Sequence, residues 1–349
     1  MKVADHYINA GNGVRHVLSA VGLLASQYYF TPNGNKSPGR KASSYTTGQQ
    51  GLEIGNQQVI DEVKSLLEKP FVDYGYLKVT HWLRKEKGYV INPKKVYRLM
   101  RENRLLSPKR NVYRGNRAWV KELVPKPEEP FECIEFDIKY VYIHGQRRNA
   151  MLLTAIDVYS RLNMAHLMGF SMTQVEVMAM FDYIKDHFRL PENVRVRSDN
   201  GSQFTAGLVQ KHLKDLGISQ EFTLPATPEQ NAHIEAYHSI VERAVCRRHE
   251  FEDLAQALGI FDQFRQFYNS ERIHSAVGFE SPMRYLRSHG IELNPKEFFP
   301  CGWRLETTAD ERDFEDGSAK GAKSPLPESY KPSLKPEKEF PFIVEQACA

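Results

Sequence analysis

Residues 133–143 read CIEFDIKYVYI. Apolar and aromatic side chains alternate there with polar ones, and β-branched and aromatic residues dominate, so the stretch predicts a β-strand. Asp137 lies in the middle of it, flanked by Phe136 and Ile138. An acid at the centre of such a strand is out of character, which marks it as a candidate for chemistry.

Working downstream, the turn HGQRRN leads into a second strand over 150–156 and then a third over 162–170. Thr173 and Glu176 form a capping box ahead of a helix whose apolar stripe is Val177, Phe181, Ile184 and Phe188. A strand over 194–197, a helix near 206–216, a strand over 218–223 and a long helix from about Asn231 complete the pattern. Three consecutive antiparallel strands followed by alternating helix and strand predict an α/β class. The order is that of a ribonuclease H-like core, a mixed five-stranded sheet with helices, over residues 131–290.

Upstream, the texture is helical and basic. Pro125-Lys126-Pro127 closes a linker over 119–130. Before it, Val59, Ile60, Val63, Leu66 and Leu67 form one helical stripe, and residues 76–87 form a second helix ended by Gly88. Asn92-Pro93 supplies an N-cap and a first-turn proline for a third helix running to about Asn103. Between Asp61 and Val120 there are 15 Lys and Arg against 6 Asp and Glu. Such a surplus fits a polyanion, and it predicts a helix-turn-helix DNA-binding domain over 57–118, with Lys94, Lys95, Arg98 and Arg101 on the reading helix. Small all-α modules of this kind thus precede the core. Residues 1–30 read as a short helical segment, and the polar, Gly-rich run over 31–56 reads as a flexible linker. Residues 291–349 read as a largely disordered extension: 304–349 holds five prolines and an acidic excess.

Composition narrows the class. With 41% hydrophobic and 26% charged residues the 349-residue chain is neither fibrous nor wholly disordered. No run approaches a membrane span and no signal peptide opens it. Cys133, Cys246, Cys301 and Cys348 lack paired metal-ligand spacing, which predicts a reduced, cytoplasmic protein without structural zinc.

Phosphodiester chemistry with two hard cations needs carboxylates converging from separate elements. Asp199 opens the turn Asp-Asn-Gly directly after a strand, and Glu235 lies on the first turns of a helix, 35 residues intervening. With Asp137 on the first strand, all three can face one cleft.

The blocks FECIEFDIKYV, TAIDVYSR, VRSDNGSQF, TPEQNAHIE and YNSERIHSAVGFESPMRY resemble the catalytic core of DDE transposases of bacterial insertion sequences, OrfB type, related to retroviral integrases. The segment YGYLKVTHWLRKEKGYVINPKKVYRLMRENRLL resembles the helix-turn-helix that precedes that core. The resemblance implies an enzyme, a polynucleotidyl transferase that binds the terminal inverted repeats of its element and cuts and joins DNA. It implies that Asp137, Asp199 and Glu235 hold two Mg²⁺ or Mn²⁺ ions, and Asn231 matches an asparagine four residues before the family's glutamate. Asn231 and Arg243 join the candidate DNA contacts. The implied partners are element ends, target DNA, further copies of the chain on paired ends and an upstream-frame companion; the implied place is a bacterial, nucleoid-associated cytoplasm. Glu242 is a candidate for the outer shell of the metals, Asp157 for a structural turn, and Tyr268, Asn269, Arg272 and His274 for a clasp or a DNA contact. Two departures stand out: no His-His-Cys-Cys set lies near the N-terminus, and Ile273 stands where the family usually has proline. A rival reading is a transposase-derived DNA-binding protein that has lost catalysis.

Overall fold

In the computed structural model, which describes residues 2–29, 42–107, 124–223, 228–294 and 298, the alternating stretch is a strand, β3 (Cys133–Ile143). It is the centre of a five-stranded sheet. On one side it pairs antiparallel with β4 (Arg148–Asp157), which pairs antiparallel with β5 (Asn163–Gly169). On the other side it pairs parallel with β6 (Arg195–Ser198), which pairs parallel with β7 (Ser219–Phe222). The order β5-β4-β3-β6-β7 is the ribonuclease H-like topology.

Each face of the sheet is covered by helices. The even-numbered side chains Ile134 and Phe136 of β3 enter one core with Phe181 and Ile184 of α7 (Gln174–His187), together with Phe204 of α8 (Ser202–Thr205) and Val209 of α9 (Gly207–Asp215). The Thr173–Glu176 capping box is present, Thr173 N donating to Glu176 Oε2 at 2.6 Å. The odd-numbered Val141 and Ile143 enter a second core with Ile234, Tyr237 and Val241 of α10 (Ala232–Val241) and Phe261 and Phe264 of α11 (Leu254–Ser270). A short α12 (Pro282–Ser288) contributes Met283 and Leu286 to the first core. The helix that starts after Asn231 is shorter than its sequence suggests: it passes into a π-helical turn, Glu242–Cys246, and stops.

N-terminal to the core are α1 (Lys2–Asn9), α2 (Val14–Ala20) and α3 (Ala25–Tyr28), then the basic module α4 (Asn56–Glu68), α5 (Tyr76–Glu86) and α6 (Pro93–Glu102). Asn92 caps α6, its Oδ1 accepting from Lys94 N at 2.9 Å. Val59, Ile60, Val63 and Leu66 pack against Val79, Leu83, Val96, Leu99 and Met100.

Part of the expected 31–56 linker is folded instead. Tyr45–Thr47 (β1) and Glu53–Gly55 (β2) form an antiparallel hairpin, Val90 N donates to Thr47 O at 2.8 Å, and Ile54 is buried in the module's core. The physical reason is that one apolar side chain with a neighbouring strand edge to pair with is enough to seat three-residue strands that a polar composition conceals. Residues 30–41, the basic run Lys109, Arg110, Arg114 and Arg117, and the extension beyond 298 lie outside the described residues.

The module is docked on the core. Phe71 enters the sheet's second core, Ile273 enters the module's core, and the N–H of Ile273 donates to Tyr74 Oη at 3.1 Å. That bond accounts for a non-proline residue at 273, since proline has no N–H to give.

Candidate active site

Along β3, Glu135, Asp137 and Lys139 share the face turned towards α10, and each meets a residue of that helix or its π-helical extension. Glu135 accepts from His233 N at 2.9 Å and Ile234 N at 2.8 Å; Asp137 Oδ2 lies 3.5 Å from His238 Nδ1; Lys139 Nζ lies 3.1 Å from Glu242. The spacing has a simple origin. Two residues of strand advance about 6.7 Å, as do four to five residues of helix at ~1.5 Å each, so a helix running alongside and parallel to β3 stays in step with it.

The three candidate acids come from three elements. Asp137 is mid-β3. Asp199 follows β6, and the parallel register Glu135↔Arg197, carried two residues further, sets it level with Asp137. Asp199 is exposed, and its Oδ1 accepts from Gly201 N at 2.9 Å. Glu235 is exposed on the first turn of α10. Burial pushes the Asp137 carboxyl up to about 7, against a backbone hydrogen bond from Ile138, and the charges of both Asp199 and Glu235 push it the same way. The acids are thus near enough to repel one another. They do not close on one point: among the described residues, no three His, Cys, Asp or Glu side chains reach coordinating distance. Their chemistry nonetheless fits a divalent cation, which takes hard oxygen donors and relieves mutual carboxylate repulsion.

The surroundings are set by burial. Burial, with the nearby Lys139 charge, holds His238 down to about 3, so its imidazole is neutral beside Asp137 and the contact is not an ion pair. Glu242 is turned to Lys139 and Arg247, and the hydrogen bond from Lys139 lowers its carboxyl. Asp157 is fully buried and accepts from Phe131 N, Tyr159 N, Ser160 N and Ser160 Oγ, the work of a turn. Glu135, Lys139, His233 and His238 were not singled out by sequence. The one legible signal was that Glu135 is two residues from Asp137 and so shares its face.

The candidate DNA contacts separate into two groups. Lys94 and Arg101 are exposed on α6. Lys95 Nζ is engaged by Tyr45 O and Ser43 Oγ, and Arg98 by Ser43 O at 3.3 Å and Glu102 at 3.6 Å, all but the last from the hairpin segment. Arg243 meets Asp73 at 3.1 Å, and Asn231 is 5% exposed. Tyr268, Asn269, Arg272 and His274 are buried and form a clasp: Asn269 pairs in both directions with the Asn163 backbone at 2.9 Å, and Arg272 with Asp73.

With this geometry in place, the comparisons with known proteins become specific. Residues 127–228 and 216–282 each match an integrase core domain, and 55–113 match an HTH-like domain. An uncharacterized 31.7 kDa protein of insertion element IS407 from Burkholderia multivorans is 26% identical over 216 residues, 62% of this chain and 76% of that protein. The transposase InsD for insertion element IS2D of Escherichia coli is 26% identical over 260 residues, 71% of this chain and 84% of that protein. The chain carries an integrase core domain preceded by an HTH-like domain, and the relatives it is similar to are proteins of insertion elements. Among solved structures, the catalytic core domain of BIV integrase is 20% identical, covering 46% of this chain and 97% of that one, with a TM-score of 0.35. No helix among the described residues is long and apolar enough to cross a membrane.

Proposed function

We propose that the chain binds the terminal inverted repeats of an insertion sequence and catalyses divalent-metal-dependent cleavage and strand transfer of DNA, with Asp137, Asp199 and Glu235 holding two Mg²⁺ or Mn²⁺ ions. The observation that carries this reading is the placement of three carboxylates on neighbouring elements: mid-β3, the end of β6 paired beside it, and the first turn of α10 packed on it. Bound there, the cations would activate the attacking oxygen and stabilise the leaving one. The chain's own part is to hold the acids on a rigid sheet and helix and to bring the DNA end to them.

The helical module supplies the DNA grip. Lys94 and Arg101 are exposed to meet phosphates or base edges, Arg101 from over the Tyr97 ring, while Lys95 and Arg98 brace the hairpin and Arg243 braces the module against the core. Joining two ends in one event with one triad per chain implies at least two copies on paired ends, with target DNA as the second substrate and an upstream-frame protein as a further partner. The test is to incubate the purified chain with labelled duplexes copied from the DNA flanking its gene and a target plasmid. Joined product with Mg²⁺ or Mn²⁺ and none with chelator supports the reading. Tight end binding without joining under any divalent metal would favour a catalytically silent DNA-binding protein.

A further inference from the structure

Glu135 is a carboxylate with no exposed surface, on the central strand of the sheet, two residues before Asp137. A buried charge is costly unless it is fully engaged. This one is. Its Oε2 accepts from His233 N at 2.9 Å and Ile234 N at 2.8 Å, and its Oε1 lies 2.8 Å from His233 Nδ1. The amides of 233 and 234 belong to the first turn of α10, where helix N–H groups have no partner within the helix. The residue that should cap them locally, Asn231, makes no side-chain cap hydrogen bond. The cap is therefore supplied from another element, by the strand that carries Asp137.

We propose that Glu135 is a positioning residue, which by seating the first turn of α10 on β3 sets Glu235 in place against Asp137. The proposal rests on the catalytic reading above. Glu235 is one residue past the capped amide of Ile234, so the cap acts where the helix presents its acid. The other two rungs between β3 and this helix join side chain to side chain, Asp137 to His238 at 3.5 Å and Lys139 to Glu242 at 3.1 Å. Of the three, Glu135 is the one that binds backbone, so it holds the first turn of the helix directly while Ile234, Tyr237 and Val241 pack its length on the sheet.

The experiment compares Glu135→Gln, Glu135→Met and, as a reference, Asp137→Asn in the full chain. Folding is checked by cooperative melting. Three quantities are read: exchange of the 233 and 234 amides without metal, Mn²⁺ binding by electron paramagnetic resonance, and strand joining. Gln keeps one carbonyl oxygen for the two amides, so slow exchange and Mn²⁺ affinity within a few-fold of wild type are expected. Met keeps the volume and loses the acceptor. Fast exchange, Mn²⁺ affinity lowered roughly 10–100-fold and joining lowered by about 100-fold are expected. Asp137→Asn should abolish joining with both amides still protected. Fast exchange with unchanged Mn²⁺ affinity in the Met variant would overturn the proposal. So would lost Mn²⁺ affinity in the Gln variant with its amides protected, since charge and not seating would then be the cause. Should Met fail to fold, the Gln variant decides between these outcomes. Full joining by Asp137→Asn would instead overturn the catalytic reading, while the exchange and Mn²⁺ results still judge Glu135.

Discussion

Asp73, in the loop between α4 and α5, and Arg272, just beyond α11, form an ion pair buried on both sides, the side chains 8% and 2% exposed. Arg243 reaches the other carboxylate oxygen of Asp73 at 3.1 Å. Burial pushes the Asp73 carboxyl up, but Arg272, with Lys78 and Arg243, holds it below its usual value. One acid of the helical module thus ties two arginines of the integrase-like core, and the module cannot leave the core without breaking both ion pairs.

Removing one partner of such a pair leaves the other buried and uncompensated. Arg272→Met should destabilise the chain by roughly 3–5 kcal/mol, and the double variant Asp73→Asn with Arg272→Met should recover part of it. Because the folded pKa of Asp73 is depressed, its contribution is present above about pH 4 and lost as the pH falls through the folded value. Chemical denaturation of wild type, Asp73→Asn, Arg272→Met and the double variant at pH 7 and pH 3 checks both points. Equal stability of wild type and Arg272→Met at pH 7 would refute them.

Lys78 lies beside the same node, its ammonium 5.3 Å from the Tyr74 ring. Burial and then the Arg272 charge lower it to about 7. The unfolded chain keeps this proton to about pH 10 while the folded chain releases it near 7, so stability should rise with pH across that window. Lys78→Met should remove that rise and stabilise the chain at pH 7 by roughly 1–2 kcal/mol after allowing for partial exposure. Melting temperatures from pH 6 to pH 10 test this; parallel curves for the two proteins would contradict it.

The sequence carried the sheet because its signals are local. Alternation set β3 over 133–143 with the bounds later found, and Thr173, Glu176, Asn92 and Pro93 announce their helices by capping chemistry alone. Asp137 stands out in the sequence because it breaks the pattern of its strand; Asp199, in a turn, and Glu235, on a solvent-facing helix turn, become candidates through the blocks around them. What stayed hidden depends on partners distant in the chain. Glu135 reads as one more polar residue of an alternating strand until α10 is laid beside it, and Asp73 reads as a loop acid until Arg272 arrives from 199 residues away. The hairpin over 45–55 is illegible because its strands have three residues each and gain their stability from Ile54 and the Val90 edge. The π-helical turn at 242–246 follows no local rule of composition, and it ended a helix that the pattern alone extends.

DNA affinity should separate the basic residues of α6. Lys94→Ala and Arg101→Ala each lose an exposed cation, so each should weaken end binding and reduce the slope of log affinity against log salt by about 1. Lys95→Ala and Arg98→Ala loosen the hairpin segment and should lower the melting temperature as well. Fluorescence anisotropy at several salt concentrations, with melting curves alongside, would show the division. Four indistinguishable variants would remove its basis.

The assembly and the extension can be tested together. A chain truncated after Trp303 should still join DNA, and its mass on paired ends should correspond to at least two copies. Loss of joining with the core still folded would show that the extension takes part; a monomer fully active on paired ends would overturn the assembly.

The central claim is that three acids on three elements form one catalytic centre for DNA joining. It is tested most directly by Asp137→Asn, Asp199→Asn and Glu235→Gln, each assayed for Mn²⁺-dependent joining and for affinity to the same end duplex. Each variant should lose joining by at least about 1,000-fold, with end affinity within about twofold of wild type, since the proposal puts the grip in the helical module and the chemistry in the core. Wild-type joining by any one of the three would contradict the account.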